Sequence, residues 1–217
     1  MRIKKLSLLG CIIMLLAVLF YPRAVPDESG VFTDSRDGHV YKWVRIGDQI
    51  WMAENLQIQT DSGSWCWENE EENCKIRGRL YDWETAIKVS PPGWHLPSDE
   101  EWKKMEMTLG LSREQADQEG FRVDRDGLIA GKIKLIEAWR SEYEGKSIMI
   151  TNETGFSAVP TGLYSNGEFS HDGYTGWWTS DGNDTHAWIR HLGFFDNTIG
   201  RVLNRKEFAI PVRCIKD

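Results

Sequence analysis

Five histidines, four cysteines and a run of glutamates are the residues of this chain with the chemistry for catalysis or metal binding. Their spacing argues against most of it. His186 and His191 are five apart, and an odd spacing on a strand sends side chains to opposite faces, so they could not share a metal or act as a pair. His95 sits between Trp94 and Leu96 and reads as a hydrogen-bonded structural group, while His39 reads as an exposed strand start. His171-Asp172 lies in a Gly- and Ser-rich loop that suits either a solvated turn or a ligand contact. Glu68, Glu70, Glu71 and Glu72 form a charge run, the pattern of a solvated face rather than of a glycosidase acid and base. No nucleophile is marked by a local elbow, and no Gly-rich phosphate cradle occurs. The expectation is a non-enzyme without catalytic residues, cofactor or metal.

Asp34-Ser35-Arg36-Asp37-Gly38 lacks the later ligands of a calcium loop, so turn chemistry is the reading, as it is for Asp124-Arg125-Asp126-Gly127. Cys66 and Cys74 enclose the hydrophilic stretch Trp67 to Asn73. In an oxidising compartment they read as a local disulfide worth about 2.5 kcal/mol in chain entropy. Two thiols without a neighbouring His make a metal site the lesser alternative. Cys214 then has no partner and is either a buried thiol or an intermolecular one.

What remains is recognition. The loops between Tyr164 and Asn204 mix aromatic faces with short polar groups, a composition suited to sugars or protein epitopes. The ligand-binding candidates are His171, Asp172, Tyr174, Asp181, Asn183, Asp184, Phe194, Asp196 and Asn197. The competing view makes Trp177, Trp178 and Trp188 core and the rest ordinary loop residues.

These candidates need a scaffold. His39 to Ile46, a Gly47-Asp48 turn and Gln49 to Ala53 read as a β-hairpin. Leu80, Trp83 and Ile87 recur at helical spacing and predict a short helix from near Arg79, stopped before Pro91-Pro92. Ser98 with Glu101 forms a capping box, Trp102, Met105 and Leu109 share one face, and Gly110 ends that helix. Residues 111–150 are weakly patterned, with helices suggested around Ala116 and from Leu128 to Trp139. Short strands then follow at Phe156 to Val159, Gly162 to Tyr164, Gly176 to Thr179, Ala187 to His191, Arg201 to Asn204 and Ala209 to Ile215. Short helices in the first half and a twisted, mainly antiparallel sheet with long loops in the second predict an α+β fold.

Residues 1–30 read as a signal peptide or short membrane anchor: Arg2, Lys4 and Lys5 precede an apolar run from Leu6 to Tyr21. Cleavage near Ala24 and retention as an anchor both stay open. Leu8-Leu9-Gly10-Cys11 has the form of a lipobox, but the apolar run continues beyond it and favours Cys11 as one more apolar residue. Residues 31–217 form the domain, placed in the periplasm or at the cell surface, with the membrane contacted only through the N-terminal segment. Removing residues 1–24 takes away four positive charges and no negative ones, moving the net charge from −7 to −11. Such acidity excludes nucleic acid, whose phosphates require Lys and Arg.

Several phrases carry a family resemblance: Ile50-Trp51-Met52-Ala53-Glu54-Asn55-Leu56, Gly78-Arg79-Leu80-Tyr81, Pro92-Gly93-Trp94-His95-Leu96-Pro97, Trp177-Trp178-Thr179-Ser180 and Pro211-Val212-Arg213-Cys214. In this order the chain resembles the major paralogous domain family first named from Fibrobacter succinogenes. That resemblance implies a C-type-lectin-like fold on an exported bacterial protein, mostly without known activity, with a diversified binding surface late in the chain of some relatives. Members commonly carry a Cys just before Pro-Pro-Gly-Trp-His, expected to pair with the C-terminal Cys, where this chain has Ser90. The helix phrase also resembles the formylglycine-generating group, whose paired reactive cysteines are reduced here to Cys214. Calcium-dependent sugar binding is unsupported, because Pro160 and Pro211 lack flanking acids or amides. The expected function is binding of a polysaccharide or surface protein at the bacterial envelope. An enzyme related to the formylglycine-generating group and a structural envelope component are the alternatives.

Overall fold

The computed structural model describes residues 28–217; the N-terminal apolar run, the cleavage region near Ala24 and Cys11 lie outside the described residues. The chain opens with β1 (Ser29–Thr33), β2 (Val40–Ile46) and β3 (Gln49–Met52), followed by β4 (Ser64–Trp65) and α1 (Glu71–Arg77). Then come β5 (Leu80–Tyr81), α2 (Trp83–Ala86), β6 (Trp94–His95), α3 (Asp99–Thr108), α4 (Arg113–Asp117) and β7 (Gly120–Arg122). The remainder is mainly strands: β8 (Glu142–Tyr143), β9 (Lys146–Ser147), β10 (Leu163–Ser165), β11 (Glu168–Ser170) and β12 (Thr175–Gly182). β13 (His186–Leu192), β14 (Ile199–Arg205), β15 (Ile210–Pro211) and β16 (Ile215–Lys216) complete it. The architecture is mixed, with four short α-helices among the described residues and antiparallel strand pairing in every sheet.

Strands are not confined to the second half. β16 inserts between β3 and β6, pairing Ile215 with both Trp51 and His95, so the first and last strands share a five-stranded sheet ordered β1-β2-β3-β16-β6. A second sheet, β12-β13-β14-β7, carries the three longest of the later strands, and β15-β5-β4 forms a third. The hairpin expected after His39 forms, its entry fixed by the Asp34 turn, in which Asp34 Oδ1 accepts from Arg36 N at 3.0 Å.

Two apolar clusters hold the sheets together, and adjacent tryptophans link them. Alternation along β12 sends Trp177 into one cluster with Trp51, Trp102, Met105 and Phe156. It sends Trp178 into the other, with Tyr41, Met52, Tyr81, Trp94 and Ile189. Trp102 stacks on Trp177 at 5.6 Å between centroids and tilts against Trp51 at 4.8 Å. Trp177 Nε1 donates to Asn55 Oδ1 and Trp178 Nε1 to Tyr81 O, which satisfies both buried indoles. The capping box delivers Trp102 to this core: Ser98 Oγ accepts from Glu101 N, and Glu101 Oε2 accepts from Ser98 N.

Beneath α3 lies a buried ion network. Glu106, fully buried, accepts from Arg190 Nε at 2.5 Å and from both terminal nitrogens of Arg122. Asp99 accepts from Arg190, Arg201 and Lys103. Burial alone would raise the Asp99 pKa, but Arg201, Arg190 and Lys103 hold it well below the usual carboxylate range. These contacts tie α3 to β13, β14 and β7, and removing one partner would strand the other as a buried, unpaired charge.

Several expectations need correction. The segment after Gly78 first pairs as β5, and its helix starts only at Trp83, where the Asp82 side chain accepts from Thr85 N. Leu128 to Trp139 forms no α-helix; only a short 3-10 turn, Ile136–Ala138, forms there. Asp124 Oδ1 accepts from Leu128 N and Ile129 N, and Lys134 is drawn inward, so tertiary partners override local spacing. Phe156 to Val159 makes only one bridge, between Ala158 and Lys134. Ala209 to Ile215 splits into β15 and β16 because its ends join different sheets. α1, which no sequence pattern marks, begins inside the loop closed by the Cys66–Cys74 disulfide and continues past Cys74 to Arg77; the S–S distance is 2.03 Å.

Candidate ligand-binding surface

One end of the β12-β13-β14-β7 sheet gathers aromatic side chains. Register places Gly176 opposite His191, His191 opposite Gly200 and Gly200 opposite Phe121, so one row across the sheet alternates ring and glycine. A Cβ on Gly200 would lie 3.1 Å from His191 Cβ and 3.3 Å from Phe121, which shows how closely the rings settle over the bare backbone. Tyr174, just before β12, stacks on His191 at 5.3 Å and 22°, and Phe121 meets the same imidazole at 5.6 Å. Phe194 and Phe195 stand edge-on to Tyr174 at 5.5 and 5.8 Å, and Tyr143 meets Phe194 at 5.3 Å. Arg140 lies over Phe194 at 5.3 Å.

The rings are held from behind. Lys134 Nζ donates to Gly193 O at 2.7 Å and to Asp196 O at 2.5 Å, bracketing the turn that displays Phe194 and Phe195. Burial pushes the Lys134 pKa down to about 8. Asp196 Oδ1 accepts from Thr198 N and Thr198 Oγ1, while Asn197 turns inward and donates to Met149 O. Gly173, at φ +95, lets Phe194 come so close that a Cβ would stand 3.0 Å from its ring. His171 has φ 62 and accepts Tyr174 N at its carbonyl, closing the turn in which Tyr174 is presented.

His171, Tyr174, His191 and Asn204 line a small pocket of about 40 Å³ between these rings and β10. Burial, with the nearby His171, lowers the His191 pKa to about 4, so its imidazole is neutral near pH 7. Among the described residues neither ring nitrogen of His191 has a hydrogen-bond partner. A neutral imidazole offers one donor and one acceptor there.

The nine candidates therefore divide. His171, Tyr174 and Phe194 come together on this surface, and Asp196 and Asn197 support its turn from within. Asp172 faces away and pairs with Arg77 at 2.8 Å. Asp181, Asn183 and Asp184 sit at the opposite tip of the β12–β13 hairpin, roughly 20 Å away at the usual strand rise. There Asp181 Oδ2 accepts from Asp99 N, and Asn183 Oδ1 accepts from Thr185 N and His186 N, as in an Asx turn. Tyr143, Phe121, Arg140, Phe195 and His191 lie outside the nine candidates; cross-strand register brings in Phe121 and His191, and loop packing brings in Tyr143, Phe195 and Arg140.

The other reactive groups are engaged. Cys66, Glu71 and Cys74 cluster closely, but both sulfurs belong to the disulfide. His95 is held between Asp217 Oδ1 at 2.6 Å and Glu101 Oε1 at 2.9 Å. Cys214 is fully buried, 3.3 Å from Ser90 Oγ, and burial pushes its pKa up to about 12.

Fold and site together define a tryptophan-rich, disulfide-tied α+β domain whose half-exposed aromatic groups gather at one sheet end. The chain belongs to the family described as the Fibrobacter succinogenes major domain, which matches residues 44–216. No curated protein and no solved structure matches it.

Proposed function

We propose that this is an exported, non-catalytic binding domain that recognises a polysaccharide or a surface protein at the bacterial envelope. The observation that carries the reading is the gathering of Tyr143, Tyr174, Phe194, Phe195 and the unpartnered imidazole of His191 on one partly exposed sheet end. Rings supply apolar contact at low entropic cost, and polar groups among them fix orientation. The fold is read as C-type-lectin-like, on the support of the first and last strands sharing one sheet. Export rests on the basic and apolar N-terminal sequence and is consistent with the Cys66–Cys74 disulfide.

A formylglycine-type enzyme is disfavoured, because a buried Cys214 held in the thiol form is a poor nucleophile. The test is a screen of the protein against glycans and envelope proteins, repeated with Tyr174→Ala and Phe194→Ala. Each substitution is expected to weaken a hit at least tenfold. A hit indifferent to both substitutions, or no hit at all, refutes the proposal.

A further inference from the structure

A cavity of about 550 Å³ lies elsewhere, between the β1 edge of the five-stranded sheet, the end of α1 and residues 155–159. β1 is an edge strand, with β2 its one partner among the described residues. Hydrogen bonds from Arg45 N to Glu28 O and from Asp34 N to His39 O fix the phase of that ladder. In antiparallel pairing bonded residues alternate, so Gly30 and Phe32 turn toward β2 while Ser29, Val31 and Thr33 direct N–H and C=O outward. Ser29 and Val31 also line the cavity.

Its apolar and charged lining points the same way. Val31 and Ile76, 63% and 72% exposed, are the two most exposed large apolar residues described, and both face this cavity. Leu135 and Val159 extend the apolar wall. Lys42, Lys75, Arg77 and Arg213 line it against one acid, Glu54, in a chain with net charge −7. Arg213 is fully buried on Asn55 Oδ1 and Phe156 O, with no carboxylate in contact. The other three cations already have partners: Lys42 with Glu54, Lys75 with Glu72 and Arg77 with Asp172. These are solvent-accessible pairs worth about 0–1 kcal/mol, readily exchanged for another carboxylate.

We propose that β1 accepts an extended acidic peptide as an added strand, every second side chain of which falls on this cavity, apolar ones against Val31 and Ile76 and carboxylates against Lys42, Lys75 and Arg77. Backbone pairing supplies affinity and the alternate pockets supply sequence preference, the mode by which exposed sheet edges capture peptides. The five-stranded sheet, rather than the aromatic surface, carries this site, so it stands or falls independently of the glycan reading.

The test uses a fluorescent eight-residue peptide of Val-Ser-Glu-Ser repeated, which presents valine and glutamate on one face, with a Val-Ser-Lys-Ser repeat as control, titrated into the full chain. Val31→Pro removes one outward N–H without touching the β1–β2 ladder, and Lys75→Glu reverses one charge. Circular dichroism verifies that both variants keep the fold. The acidic peptide should bind and the basic one should not, each substitution should weaken binding at least tenfold, and Tyr174→Ala should leave it unchanged. Equal binding of both peptides, absence of binding, or indifference to Val31→Pro overturns the proposal. So does self-association of the chain that Val31→Pro abolishes while the peptide stays unbound, since the edge would then serve a second copy.

Discussion

Ser90→Cys should create a second disulfide. Ser90 Oγ lies 3.3 Å from Cys214 Sγ, and the two positions are 124 residues apart in sequence. Closing a loop of that size removes about 16 cal/mol/K from the unfolded chain, or about 5 kcal/mol at 25 °C, and measured bridges commonly deliver about 2–4. For a domain of this size each kcal/mol moves Tm by about 2–4 °C, so a rise of about 5–15 °C is expected. Calorimetry of the oxidised variant with and without reductant reads the shift, and peptide mapping identifies the cross-link to Cys214. The rise should vanish in a Ser90→Cys/Cys214→Ser double variant. Failure to cross-link under oxidising conditions, or a Tm within about a degree of wild type, would refute the adjacency of the segment before Pro91 and the chain leading into β16. Ser90 and Cys214 are thus neighbours in space with no covalent bond between them.

Glu106→Gln should lower stability in urea by about 3–5 kcal/mol, because it leaves the buried Arg122 and Arg190 without their shared carboxylate; a loss below about 1 kcal/mol would contradict the network. For His95, burial works to lower the pKa, but hydrogen bonds to Asp217 and Glu101 raise it above the usual 6.5. Its stabilising contribution is therefore complete below about pH 6.5 and lost as pH rises through the folded value. Thermal melts of wild type and His95→Gln should accordingly differ most near pH 5.5 and converge toward alkaline pH, and a constant difference would be inconsistent with the shift. The losses expected for Tyr174→Ala and Phe194→Ala in glycan binding, and for Val31→Pro in peptide binding, complete the set.

Elements whose signals are local were legible in the sequence. The Ser98–Glu101 capping box, the turn-bounded hairpin after His39 and the short spacing of Cys66 and Cys74 each depend on neighbours a few residues away. Segments governed by distant partners were not. Lys134 falls in the segment whose spacing suggests a helix from Leu128 to Trp139, yet its ammonium is buried against two carbonyls more than fifty residues on. The candidate residues divide for the same reason. Asp181 and Phe194 belong to one loop-rich stretch, but the length of the β12–β13 hairpin carries them to opposite ends. Phe121 and Tyr143 join Phe194 only through β7 pairing and loop packing, which no local pattern encodes. The tryptophans proved mainly structural: Trp51, Trp102, Trp177 and Trp178 are fully buried.

The central claim is that recognition takes place on the aromatic end of the β12-β13-β14-β7 sheet. Hydroxyl-radical footprinting of the protein, free and saturated with the strongest hit from the glycan and envelope screen, tests it most directly. Protection should concentrate on Tyr143, Tyr174, Phe194 and Phe195. Protection confined to the Asp181–Asp184 turn, or none on the four rings, would contradict it.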